Sequence, residues 1–202
     1  PYSNAGFAQV LPGENSECLM EGLKWIFEYM GCVPRRILFD NLTAAVTIKN
    51  RNRKIAEGFD RFCLHYGFKA EFCNIGKANE KGHVENKVGY SRRNWFVPIP
   101  SIDDISSYNQ QLFADAEDDL RRPHYEKEGT LQERFSQEKA EFLSLPGKPF
   151  EVIRWDTATV DKYGRIKLDE YHYHGVPAGP GDRVFLKASW DILQILNQNY
   201  EV

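Results

Sequence analysis

The chain has 202 residues, 42% hydrophobic and 27% charged, with thirteen Phe and ten Tyr. That is ordinary globular composition, enough for a sizeable core in one or two domains; no apolar run approaches the ~18 residues of a membrane span, and no signal peptide is visible. The net charge of -3 argues by itself against a nucleic-acid binder, but residues 34–97 carry thirteen bases and six acids, net +7.

The remaining segments are acidic: residues 1–33 are net -3, 98–146 net -6 and 147–202 net -1. Such asymmetry marks a basic patch or a solvated charged surface. The four cysteines, Cys18, Cys32, Cys63 and Cys73, have neither zinc-ligand spacing nor a disulfide framework, and read as free thiols in a reducing cytosol. The chain opens at Pro1 without Met, which reads as a fragment lacking its natural N-terminus.

Residues 4–11 predict a short strand ended by Pro12-Gly13. An amphipathic helix follows, capped by Asn15 or Ser16, with Leu19, Leu23, Ile26 and Met30 at helical spacing and Gly31 at its end. Ile37-Leu38-Phe39 predicts a fully buried strand. Asp40 follows it directly, where reactive groups gather in open α/β sheets; taken alone, Asp40-Asn41 reads rather as an Asx turn. Residues 43–54 predict a basic loop that contacts phosphate. Residues 55–66 predict a second helix with Phe59, Phe62, Cys63 and Tyr66 inward and Gly67 at its end, and residues 68–73 predict a strand.

Asn79 can cap a polar, basic helix that carries Lys81, Glu85, Lys87, Arg92 and Arg93. Lys81, Glu85, Gly89 and Arg92 share a face, and Glu85 reads either as a metal ligand or as the i, i+4 partner of Lys81. An acidic helix is predicted from about 101 to 120, a linker at 121–125, and another helix from Leu131 to Leu145. From Phe150 the period shortens. Residues 159–168 predict a hairpin with Gly164 at positive φ, and short strands follow at 171–176, 183–187 and 192–196, which together suggest a small barrel.

Two carboxylates, Asp40 at a strand end and Glu85 on a helix, suit Mg²⁺, which takes carboxylate oxygens and substrate phosphates and keeps several waters. A metal pair held this way serves phosphoryl transfer, although the usual site has a third carboxylate. No H-E-x-x-H pattern, phosphate-binding P-loop or G-x-S-x-G elbow is present.

The runs VPRRILFDN, HYGFKAEFCN, NEKGHVENKVGYSRRNWFVP and LPGKPFEV resemble the IstA-type transposases of bacterial insertion sequences. That family has a retroviral-integrase-like, ribonuclease-H-like core. The resemblance implies an α/β fold in three parts: a partial integrase-type catalytic core over 1–100, incomplete at its N-terminus, an acidic helical linker over 101–148, and a small C-terminal β-barrel over 149–202. It implies that Asp40 and Glu85 hold Mg²⁺ or Mn²⁺ as two of three catalytic acids, the first family aspartate lying upstream of Pro1. On that ground the fragment alone is expected to be inactive. Arg35, Arg36, Lys81, Lys87, Arg92 and Arg93 are the candidate DNA contacts. The implied partners are element-end and target DNA, other copies of the chain and an ATPase helper, in a cytoplasmic, nucleoid-associated setting. The implied reaction is cleavage of element ends and joining of the freed 3′-hydroxyl to target DNA. The alternatives are a non-catalytic DNA-binding or assembly module of a transposase and, third, a ribonuclease-like hydrolase.

Overall fold

A computed structural model describes residues 2–39, 46–49, 52–72 and 78–201; within these, the side chains of 46–49, 52–55 and 78–86 are not described. The fold is mixed α/β. The chain divides into two units: residues 1–11 with 22–150, and residues 12–21 with 151–202. Among the described residues no helix is long and apolar enough to cross a membrane.

Helix α1 (Ser16–Met30), which belongs to the first unit from Gly22 onward, leads into strand β1 (Cys32–Val33) and strand β2 (Arg36–Phe39) of that unit. Asn15 caps α1, its side-chain oxygen accepting the Cys18 N–H at 2.8 Å. Gly31 ends it at φ 71°, a backbone conformation that suits glycine. The inward positions differ from the expected stripe: Phe27 and Met30 are buried, whereas Leu23 and Ile26 are half-buried. The reason is aromatic packing. Phe27 lies 5.2 Å from Tyr66, 5.7 Å from Phe68 and 6.2 Å from Phe62 between ring centres.

Strands β3 (Val46–Lys49) and β4 (Asn52–Ile55) pair antiparallel, from Val46 opposite Ile55 to Lys49 opposite Asn52. The segment expected to be a basic loop thus contains a ladder, because β-branched Val46, Thr47 and Ile48 favour extended backbone despite the surrounding charge. Helix α2 (Glu57–Tyr66) buries the predicted Phe59, Phe62, Cys63 and Tyr66. Gly67 caps it in the left-handed region at φ 74°, its N–H donating to the Cys63 carbonyl at 2.9 Å. Burial, then the charge of Asp60, pushes the Cys63 thiol up to about 12.

Strand β5 (Lys69–Phe72) then pairs parallel with β2, in register from Arg36 opposite Lys69 to Phe39 opposite Phe72. The β2 strand is covered on one side only. Phe39 is buried against Phe59 and Phe72, but Leu38 is 44% exposed, so the expected double-sided burial is corrected.

Helices α3 (Ala78–Trp95), α4 (Ile105–Leu120) and α5 (Leu131–Lys139) follow. Asp104 caps α4 by accepting the Ser107 N–H at 2.7 Å, and Thr130 with Glu133 forms a capping box on α5. Helix α5 is shorter than expected, because Leu143–Ser144 forms strand β6, paired antiparallel with β1.

Residues 4–11 are not a strand. The amide of Asn109, on α4, takes the place of a ladder partner. Its Oδ1 accepts the Val10 N–H at 2.7 Å, and its Nδ2 donates to the Val10 carbonyl at 2.9 Å. Those two bonds satisfy the peptide groups that a neighbouring strand would otherwise satisfy.

In the second unit, β7 (Arg154–Thr159), β10 (Arg183–Ala188) and β11 (Leu193–Leu196) form an antiparallel sheet in the order β11-β10-β7, while β8 (Ile166–Leu168) pairs with β9 (Tyr171–Tyr173). Val160, Ile166, Leu168, Val184, Leu186 and Ala188 make its core. Among the described residues these strands form small open sheets and no closed barrel. The hairpin expected over 159–168 is a tight turn between strands that pair elsewhere. Gly164 holds φ 73° as expected, and the Asp161 carboxylate accepts the N–H groups of Tyr163 and Arg165. Arg154 donates both terminal nitrogens to Asp169, at 3.2 and 2.8 Å, and its Nε lies 3.6 Å from Glu17.

Candidate active site

A parallel pair needs a long crossover, and here it contains β3, β4 and α2. Phe39, buried beneath α2, is the last residue of β2, and Asp40 is the next residue in the chain. Asp40 itself lies outside the described residues. Glu85 and Lys81 lie on α3, whose backbone is helical there, but their side chains are also outside the described set. Among the described residues no three His, Cys, Asp or Glu side chains come together as a metal site.

The basic candidates fall into two groups. Arg36, Arg92 and Arg93 are exposed, the last two in the final turn of α3, where the helix dipole favours positive charge. Lys69 bonds Glu71 at 2.9 Å, and Lys69 first, then Arg36, holds the Glu71 carboxyl below the usual carboxylate range.

Two other cations have partners within the protein. Arg35 donates Nε to the Glu141 carbonyl at 2.7 Å. Lys87 points at Asp119 on α4, with its Nζ 3.0 Å from Oδ2. Asp119 is 8% exposed and also accepts Tyr90 Oη–H at 2.6 Å and Arg122 Nε–H at 2.7 Å on Oδ1. Burial alone would raise the Asp119 carboxyl; the hydrogen bonds from Tyr90, Arg122 and Lys87 outweigh it and leave the group below its ordinary value.

Neither the acidic helix expected from about 101 to 120 nor the linker expected at 121–125 marked this cluster. The signal was present: Asn109, Leu112, Ala116 and Asp119 recur at three- and four-residue spacing, and all four are buried. Asn109 and Asp119 are polar residues on an apolar stripe, and each proves to join α4 to another segment. Such residues are buried only where hydrogen bonds satisfy them.

No protein-family model matches the chain. Its sequence is 31% identical over 185 residues to the transposase for insertion sequence element IS21 of Pseudomonas aeruginosa, covering 89% of this chain and 47% of that protein. It is 30% identical over 187 residues to the transposase for insertion sequences IS1326/IS1353 of the same organism, covering 90% and 36% respectively. Over a shorter span of 113 residues it is 34% identical to the transposase for insertion sequence element IS640 of Shigella sonnei, covering 55% and 36%. The chain therefore spans between about a third and a half of the length of these relatives. It is a homologue of the insertion-sequence transposases of the IS21, IstA type.

Proposed function

We propose that the chain is part of a metal-dependent DNA strand-transferase, with a ribonuclease-H-like core in its first unit, and that Asp40 and Glu85 are two of its catalytic carboxylates. The observation that carries this reading is the match of nine-tenths of the chain to insertion-sequence transposases. The parallel β2–β5 pair supports it, since reactive groups of open α/β sheets gather beyond the carboxyl ends of parallel strands and Asp40 follows β2 directly.

The donor set fits Mg²⁺ or Mn²⁺: carboxylates offer hard oxygen ligands and leave positions for substrate phosphates. When bound, the metal pair supplies activation of the attacking oxygen and charge neutralisation at the leaving oxygen. Asp40 and Glu85 hold it, together with a third carboxylate that the family resemblance places upstream. In the first step water attacks the phosphodiester at an element end and releases a 3′-hydroxyl. In the second, that hydroxyl attacks a target phosphodiester, displaces the target 3′-oxygen and conserves the number of phosphodiester bonds. Exposed Arg36, Arg92 and Arg93 bind phosphates, giving salt-dependent and largely sequence-independent affinity.

The test is strand transfer by the full-length chain, upstream carboxylate included, on element-end DNA with Mg²⁺. Asp40→Asn and Glu85→Gln each abolish joining while DNA binding without divalent ion persists. If joining survives both substitutions, the catalytic assignment is wrong, and the chain is instead a DNA-binding or assembly module.

A further inference from the structure

A polar cluster centred on Asp119 of α4 bonds two residues of α3, Lys87 and Tyr90. Asp119 takes a hydrogen bond from each of Lys87, Tyr90 and Arg122, at 3.0, 2.6 and 2.7 Å. The Arg122 guanidinium lies 4.8 Å from the Tyr90 ring centre, and the Lys87 ammonium 5.1 Å from it. The N-terminal segment closes the other side, since a Cβ at Gly6 would overlap Lys87 Cε. Gly6, Lys87, Tyr90, Asp119 and Arg122 all belong to the same unit.

Among the described residues of α3, 87–95, none is buried. Its sequence, ANEKGHVENKVGYSRRNW, is polar almost all round, and Val88 is 45% exposed. A helix without an apolar stripe has no preferred face for packing. Lys87 and Tyr90, three residues apart, share a face. At about 100° per residue, Glu85 stands roughly 200° round the helix from Lys87 and roughly 140° from Tyr90. The face anchored on Asp119 is thus opposite the face that carries Glu85.

We infer that Asp119 is a positioning residue: its bonds to Lys87, Tyr90 and Arg122 set the rotation of α3 and thereby aim Glu85. The inference rests on the catalytic reading of Glu85 given above, and it assigns Lys87 to the clamp rather than to DNA. A buried carboxylate with three donors resists rotation because turning α3 would take away the two that α3 supplies, Lys87 and Tyr90, and leave it only Arg122.

The experiment uses the full-length chain and three readouts: strand-transfer rate at saturating DNA, DNA affinity without divalent ion, and amide exchange along α3. Asp119→Asn is expected to slow joining by about 10–100-fold, as loss of a supporting residue behind a ligand does, while the DNA Kd stays within about twofold. Lys87→Met gives the same pattern, and the double variant is no slower than Asp119→Asn, because the two residues act as one unit. Amides of α3 exchange faster while those of α2 keep their protection. If Asp119→Asn does not fold, Tyr90→Phe serves: it keeps the ring, loses one bond, and is expected to slow joining about fivefold. An unchanged rate in a folded Asp119→Asn or in Tyr90→Phe overturns the inference. So does a Lys87→Met variant that loses DNA affinity, with a salt slope reduced by about one, while Asp119→Asn keeps it. Should Glu85→Gln itself leave joining intact, the catalytic reading is what has failed. Amide exchange then decides alone whether Asp119 clamps α3.

Discussion

Asn109→Ala tests how the N-terminal segment is held. In the wild-type chain the Asn109 amide is 4% exposed and makes two bonds to Val10, at 2.7 and 2.9 Å. Truncation removes both and leaves the Val10 N–H and C=O without those partners. A fully buried orphan group costs about 1–3 kcal/mol. Val10 is half-buried, so water recovers part of that, and the expected loss is about 2 kcal/mol for the pair. For a chain of this length that lowers the midpoint by roughly 4–8 °C. Urea unfolding measures the loss, and hydrogen exchange at the Val10 amide reports the local bond. Asn109→Asp separates the two bonds: it keeps the acceptor for the Val10 N–H but sets a carboxylate against the Val10 carbonyl. At neutral pH it is expected to cost at least as much as Ala. Its protonated form can donate again, so it regains stability as pH falls. A loss below about 0.5 kcal/mol in Asn109→Ala, with Val10 still protected, would refute the argument that this amide replaces a strand partner.

Phe62→Ala should cost about 3–5 kcal/mol in urea unfolding, since Phe62 is fully buried and its ring meets those of Phe27, Phe59, Tyr66, Phe68 and Phe150. The Cys63 thiol, pushed up to about 12, should resist iodoacetamide at pH 8 in the folded chain and react fully in denaturant. Acid should destabilise the chain in two stages. Burial, then Lys127, lowers the His124 pKa, and its Nδ1 accepts the N–H groups of Glu126 and Lys127. The folded state therefore takes up this proton later than the unfolded one, and stability declines as pH falls below about 6.5. Asp119, also lowered, adds a second decline below about pH 4, and His124→Gln should remove only the first.

Local signals in the sequence were strong where one residue type sets one geometry. Gly31, Gly67 and Gly164 all take the positive φ that their places in the sequence require. The inward face of α2 was legible because Phe59, Phe62, Cys63 and Tyr66 recur at helical spacing. The runs around Asp40 and Glu85 carried the resemblance to transposases, and the matched relatives bear that resemblance out.

What the sequence could not decide was which groups satisfy which across the chain. Residues 4–11 have the composition of a strand, but a side chain about a hundred residues away pairs with Val10 instead. Residues 154–159 and 166–168 lie side by side in sequence, but β7 pairs with β10 and β8 with β9. Lys87 looks like any basic helix residue until α4 brings a buried carboxylate within 3.0 Å of it. Periodicity and turn chemistry act over a few residues, so the sequence alone determined the inward face of α2 and the glycines that end α1 and α2. Hydrogen-bond partners of buried polar groups are chosen by tertiary packing, so only the structure separated Lys87, bonded to a buried carboxylate, from the exposed Arg36, Arg92 and Arg93.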